Sequence, residues 1–268
     1  MTVLDVDARA AAHRDRLAPY VEPHLERRRR QVPHPVHDFL FTYYSFRPAQ
    51  LLQWRPGTDR APVQQLPLVR QLHTLLTATA SRPPTLGCFG LHEWAMVFEA
   101  DENRHPWPLR LGAAATDQVV RDHRIACSHF DAYRFFTPPA RPLNLLQPGR
   151  DDRAAFEQPG CLHAGMDLYK HAFRLSPLIC SDLVADCFEL AWDIRILDMR
   201  AAPYDFTGLT LDPTGEEWRP VRIETADGKA EYVAAQRAFA ERAAPLRGRL
   251  LNECRALLDS PSSADGSA

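Results

Sequence analysis

The sequence predicts a mainly α protein: a single helical-bundle-like domain over residues 1–259, with one or two short strands or a hairpin. Three observations carry this prediction. Apolar residues recur at helical spacing in several long segments, clusters of proline and glycine separate those segments, and strand-like stretches are short. The 268 residues are enough to bury a substantial core. The composition of residues 260–268 predicts a disordered tail.

The first part of the chain predicts helices joined by turns. Residues 7–31 predict an Ala/Arg-rich helix that is interrupted near Pro19 and Pro23 and lies at the periphery of the domain. The leucine spacing in PLVRQLHTLLTAT, residues 67–79, predicts a second helix, which the following SRPPT ends.

The short strands are predicted in two places. Periodicity does not decide whether residues 94–111 form a helix followed by a strand, or a hairpin that pairs 94–99 with 107–111. Farther along the chain, PVRIET is a candidate for a short strand after a loop-like stretch. Residues 229–258 then predict the longest helix, with a kink near Pro245.

Two consecutive helices, at 161–175 and 181–199, form the predicted centre of the molecule, with a break at Ser176-Pro177. The second helix is apolar over most of its circumference, which predicts an interior position. Its acidic residues form a narrow stripe that either faces solvent or lines an internal site. The stripe consists of Asp182, Asp186, Glu189 and Asp193.

Composition limits the functional classes. The net charge of −2 gives no overall attraction to nucleic acid or to an anionic membrane. Six cysteines without a C-x-x-C pair indicate reduced thiols. Asp5, Asp7 and Arg9 stand where a signal sequence needs apolar residues, and no stretch approaches the ~18 apolar residues of a membrane span. We therefore expect a cytoplasmic protein without a membrane partner.

The first of the two central helices carries a ladder of metal-ligand residue types. His163, Asp167 and His171 are spaced four residues apart, so their side chains rise from one face. Lys170 and Arg174 fall on the same face, which an ordinary amphipathic helix would also show. His171 lies farthest toward that basic face or the helix end, and we leave it out of the predicted ligand set.

Other polar residues in apolar surroundings extend this set. His129 and Asp131 lie in a segment rich in aromatic residues, and His92 interrupts an apolar run, so these groups need buried partners. We predict that Asp131 orients a ligand or acts as a catalytic base. The predicted metal ligands are His92, His129, His163, Asp167, Glu189 and Asp193.

Imidazoles and carboxylates together suit iron, manganese or zinc, and helical bundles build such sites from inward-facing side chains. We therefore expect a transition metal, iron first. The function predicted from these residues is a non-haem iron or dinuclear carboxylate–histidine oxygenase or oxidase that acts on a small-molecule substrate. Tyr43, Tyr44 and Trp94 are predicted to contact the substrate.

Six segments between residues 33 and 250 resemble an actinobacterial family that genomes commonly label 3-methyladenine DNA glycosylase. They are HDFLFTYYSFRPAQL, GCFGLHEWAMVF, SHFDAYRFFTPPARPLN, QPGCLHAGMDLYKHAF, DCFELAWDIRILDMRAAPYD and PVRIETADGKAEYVAAQRAFAERAAPLR. The resemblance carries no individual functional residue over to this chain.

The resemblance implies a different activity, the excision of alkylated purines from DNA. In that alternative, nucleic acid is the partner, the extruded base stacks on Tyr43, Tyr44 or Trp94, and a carboxylate such as Asp131 assists attack at the sugar. A third alternative is a non-catalytic helical module in which every polar residue has a structural role. The sequence does not decide among the three, and it leaves the oligomeric state open.

Overall fold

A computed structural model describes residues 3–58, 60–102 and 105–259, and it confirms the mainly α fold with a short hairpin. The predicted tail at 260–268 lies outside the described residues. The helices are α1 (Val3–Arg30), α2 (Phe39–Thr42), α3 (Pro48–Leu51), α4 (Leu66–Ala80), α5 (Leu91–Ala95), α6 (Gly112–Asp122), α7 (Phe130–Tyr133), α8 (Arg153–Phe156), α9 (Leu162–Leu175), α10 (Ser181–Ala201) and α11 (Ala226–Asp259). Two 3₁₀ turns, Val63–Gln65 and Arg141–Leu143, and the strands β1 (Thr210–Leu211) and β2 (Glu216–Glu217) complete the described elements.

Helix α10 lies at the centre of the core, as the sequence predicts. It packs against α9 and α11, and most of its residues are buried. Its contact with α9 is close at Gly165, where an added Cβ would lie 2.8 Å from Cδ1 of Ile194. The acidic stripe of α10 faces arginines at the surface: Asp186 and Glu189 bind Arg16.

Helix α1 runs unbroken through Pro19 and Pro23, so the predicted interruption is wrong. One face of α1 nevertheless packs on the main core, where Leu17 and Val21 are fully buried. Each proline removes one backbone hydrogen bond and crowds the preceding turn. Burial of the two aliphatic side chains offsets that cost, because each contributes about 1.5–3 kcal/mol.

The observed hairpin is not where the sequence predicts strands. β1 pairs with β2 in antiparallel register, with Thr210 opposite Glu217. Residues 94–99 instead complete α5 and continue as turns, because a short apolar run does not distinguish a buried helix from a strand. PVRIET forms no strand, since Val221 donates its backbone N–H to the end of α10 at Arg200.

Helix α11 confirms the predicted long C-terminal helix. Tyr232, Leu250 and Leu257 are buried along one stripe, which packs against α4, α9 and α10. None of the described helices is both long and apolar enough to span a membrane.

Candidate metal centre

Three helices bring His92, His163 and Asp198 together in a buried cluster that can hold a metal ion. One ligand atom from each residue lies within 4.8 Å of the other two. We call this cluster the central triad. Two histidines and one carboxylate are the donor set of many non-haem Fe(II) sites.

A sharp turn before α5 positions His92. Phe89 and Gly90 both adopt left-handed backbone conformations, with φ values of 47° and 68°. A Cβ at Gly90 would lie 3.1 Å from the Cβ of Ala201, so the chain passes closely over the end of α10 at this point. This approach places Nε2 of His92 2.9 Å from Oδ1 of Asp198.

His163 lies between two cavities and lines both. The first, which we call the thiol cavity, has a volume of about 320 Å³ and is also lined by Cys88, Cys127 and Cys161. The second, the aromatic cavity, has a volume of about 240 Å³, and its walls include Phe39, Tyr43 and Phe135. A small molecule in either cavity would therefore lie beside the central triad.

The two histidines of the central triad differ in protonation. Burial works to lower the pKa of His92, but the charge and hydrogen bond of Asp198 outweigh it and hold that pKa well above its ordinary value. Burial, followed by the charge of His92, lowers the pKa of His163 to about 3. His163 is therefore neutral at pH 7 and offers a lone pair. A metal ion would have to displace the proton that His92 shares with Asp198.

A second triad adjoins the first: His129, Glu157 and Asp167 also offer ligand atoms within 4.8 Å of one another. The rings of His129 and His163 have centroids 5.3 Å apart. The carboxylates of the second triad are already paired with cations. Arg153 donates to Asp167 at 2.7 Å and to Glu157 at 2.5 Å. The second triad is therefore the weaker candidate for an ion.

Three predicted residues lie around the second triad. Oδ2 of Asp131 accepts from Lys170 at 3.0 Å, and Asp131 also lines the aromatic cavity. Lys170 also binds Asp167, and Tyr44 donates to Oδ1 of Asp167 at 3.2 Å. Tyr44 is buried, so it supports a carboxylate and presents no surface for a ligand. Tyr43 is the predicted aromatic residue that lines a cavity.

The structure brings none of Glu189, Asp193 and Trp94 into either triad. Glu189 lies about 180° around α10 from Asp198, because nine residues separate them. It binds Arg16 there, and Asp193 binds Arg242 near solvent. Trp94 is fully buried and donates its indole N–H to the carbonyl of Ala201, so it belongs to the core.

The sequence predictions omitted Asp198, Glu157, Arg153 and Arg195. The spacing Arg195-x-x-Asp198 was the available signal, since it places an ion pair of 2.8 Å on the apolar face of α10. Glu157 and Arg153 lie in a loop and a one-turn helix, where spacing carries little information. His171 is buried, contrary to its predicted place near solvent, and it belongs to neither triad.

A third group, His34, His37 and Asp212, has suitable residue types but a structural role. Both ring nitrogens of His34 bind backbone groups, and Nε2 of His37 accepts the backbone N–H of Asp212. The ring of His37 stacks on Trp192 with centroids 4.1 Å apart. These contacts occupy both ring nitrogens of His34 and Nε2 of His37, so the group fixes β1 against α2 and α10, while Nδ1 of His37 is buried with no hydrogen-bond partner among the described residues.

His37 predicts a pH dependence of stability. Burial lowers its pKa to about 2, so it stays neutral in the folded protein at pH 5, while an unfolded chain takes up a proton below pH ~6.5. Stability should therefore fall as the pH drops, by about 2 kcal/mol from this residue at pH 5. Urea unfolding of His37→Gln should show a stability deficit that narrows by that amount between pH 7.5 and 5. A deficit that is the same at both values would contradict the prediction.

No protein-family model matches this chain, and no curated protein or solved structure is significantly similar to it.

Proposed function

We propose that this protein is a metal-dependent enzyme that binds a transition metal, iron first, at the central triad and acts on a small molecule. The observation that carries the proposal is the donor set: buried His92 and Asp198 with half-buried His163, at the junction of two cavities. Bound there, the ion would supply Lewis acidity or, as Fe(II), reactivity with dioxygen. Tyr43 and Asp131, on the wall of the aromatic cavity, would contact the substrate.

The charges around the triads balance only while His92 holds its proton. Four buried carboxylates, Glu93, Glu157, Asp167 and Asp198, face Arg153, Lys170, Arg195 and the proton that His92 shares with Asp198, so a metal ion that displaces this proton would replace its charge. Oε2 of Glu93 is buried and finds no hydrogen-bond partner in the described ranges of the chain, and Oε1 of the same residue lies 3.9 Å from Nε2 of His92. A buried unpaired carboxylate oxygen is costly, so a cation beside it would be stabilised.

His163 is the residue with which to test the site. Its ring nitrogens make no hydrogen bond within the described residues, so His163→Gln should leave the fold intact. His171→Gln is the matched control, because His171 is a buried histidine on the same helix and lies outside the triads. Each protein is reconstituted with Fe(II) without oxygen and desalted, and its metal is measured by mass spectrometry. We expect one iron per chain in the wild type and in His171→Gln, and at least a tenfold loss of affinity in His163→Gln.

Two outcomes would contradict the metal site: a wild-type protein without stoichiometric metal, or equal metal contents in the two variants. The enzymatic part needs a second measurement. The iron-loaded wild type should consume dioxygen when small aromatic or polar metabolites are added, and His163→Gln should not. Dioxygen uptake that is the same in both proteins would contradict a role for the central triad in the reaction.

DNA base excision is the second candidate, and one observation favours it. The aromatic cavity places Tyr43 and Phe135 beside Asp131, a carboxylate whose pKa is lowered: burial opposes the shift, but Lys170 outweighs it. An ionised carboxylate beside aromatic rings is the arrangement that base excision needs. Incubation with methylated DNA should then release 3-methyladenine from the wild type and not from Asp131→Asn. No release by the wild type at high concentration would remove this candidate.

A further inference from the structure

A buried arginine on α11, Arg247, forms no ion pair with the residues that the structure describes. Arg247 is 3% exposed, and neither Nε nor Nη2 of its guanidinium has a hydrogen-bond partner in the described part of the chain. Burial lowers the pKa of Arg247 and outweighs the opposing charge of Glu157. Arginine stays charged in proteins, so this is a buried positive charge without a partner. Buried charges are normally paired, which indicates that a ligand is missing here.

Arg247 lines a groove of about 620 Å³ between α11 and the chain that follows α4. This volume lies within the usual range for small-molecule sites. The groove has three arginines, Arg82, Arg237 and Arg247, and one carboxylate, Glu241. Its positive charge is therefore in excess, and Arg247 is the most deeply buried of the three arginines.

The remaining walls of the groove are apolar. Pro84 and Leu86 form one side, while Ala240, Ala244 and Leu251 follow the helical spacing along α11 on the other. An ion such as free phosphate would leave this apolar surface in contact with water. A ligand with an anionic head and an apolar tail would cover the apolar surface and neutralise Arg247 together.

We propose that the groove between α11 and the chain that follows α4 binds an amphipathic carboxylate of the fatty-acid class, with its head on Arg247 and its tail between Leu86 and Leu251. The inference does not rest on the metal centre. The two sites are neighbours, however, because residues 84–87 and 158–161 form a wall that they share. Leu86 and Pro159 line the groove on one side of this wall, and Gly87 and Cys161 line the thiol cavity on the other.

The test uses dodecanoate as the probe, with the purified full chain and isothermal titration calorimetry. Acetate has the head without the tail, and dodecyltrimethylammonium has the tail with the opposite charge. We expect dodecanoate to bind with a stoichiometry of one and the two controls to show no saturable binding. Arg247→Met should weaken binding of dodecanoate at least about tenfold, since it removes a charge-assisted contact.

Two variants separate the loss of the positive charge from the loss of the groove. Arg247→Met should melt at or above the wild-type temperature without ligand, because replacing an unpaired buried charge by an apolar side chain removes a penalty. Ala244→Trp fills the groove, leaves Arg247 in place and should also abolish binding. The proposal is overturned if Arg247→Met binds dodecanoate with the wild-type affinity, or if the melting temperature of Arg247→Met is well below that of the wild type. It is also overturned if acetate binds the wild type as tightly as dodecanoate does.

Discussion

Arg153→Met is expected to lower the free energy of unfolding by about 3–5 kcal/mol. Arg153 binds both buried carboxylates of the second triad, Glu157 and Asp167, and its side chain is only 20% exposed. Without it, Glu157 retains His129 as its near partner, and Asp167 retains Lys170 and Tyr44. Removing one member of a buried ion pair costs this much because the other charge stays buried and uncompensated.

The measurement is urea unfolding at pH 7.5 in a chelating buffer, so that no ion replaces the lost guanidinium. Arg134→Met is the matched control: Arg134 lies 3.4 Å from Asp131, but its side chain is 41% exposed, and the loss should stay below about 1 kcal/mol. The deficit of Arg153→Met should narrow between about pH 4 and about pH 3. Lys170 and His129 outweigh burial and hold the pKa of Asp167 well below its ordinary value, so the wild type loses the stability that this carboxylate contributes only as the pH falls below the unfolded value of about 3.9. Similar deficits in the two variants would contradict the assignment.

Trp192→Ala is expected to cost about 3–5 kcal/mol, the usual range for a large aromatic residue in a packed core. Trp192 is 1% exposed, and it joins α10 to three other parts of the chain. Its ring stacks on His37, meets Tyr20 of α1 edge-on with centroids 5.0 Å apart, and donates its N–H to the carbonyl of Asp212 at 3.1 Å. Alanine would leave a cavity where all three contacts meet.

Trp192→Phe separates packing from hydrogen bonding. It keeps an aromatic ring beside His37 and loses the bond to Asp212, so the expected loss is closer to about 1–2 kcal/mol. Far-UV circular dichroism in urea would measure both variants. A loss below about 1 kcal/mol for Trp192→Ala would contradict the view that α1, α10 and the β1 hairpin form one packed unit around this side chain.

The long helices could be predicted because their apolar faces repeat over many turns. Helix α10 is apolar almost all round, and its buried position follows directly. The interruption predicted at the prolines of α1 is wrong because local helix propensity does not include the free energy that the burial of Leu17 and Val21 contributes. The two-residue strands were missed because so short a pairing leaves no periodic pattern.

The candidate site was predictable in part. His92 and His163 lie in the central triad, and His129 and Asp167 lie in the adjoining second triad, because each is a polar group that an apolar segment must bury with a partner. The acidic stripe of α10 led to the prediction of Glu189, and Asp198 was not considered, although a single acid on an apolar face is the more informative signal. The turn at Phe89 and Gly90 positions His92 and so decides which acid of α10 it faces. The spacing of residues along a helix carries no information about such a turn.

Three buried or half-buried cations, Arg153, Lys170 and Arg195, allow the chain to fold before it binds a metal ion. These side chains neutralise carboxylates that would otherwise need an ion, so a chain with this arrangement can reach its folded state before it meets one. Under the proposed function, maturation is then a separate step that follows synthesis, and chelation should return the protein to a folded precursor. Small zinc domains behave in the opposite way, since they unfold when their ion is withdrawn. The fraction of active molecules would therefore follow the supply of the ion and the local acidity, while the total amount of protein stays constant.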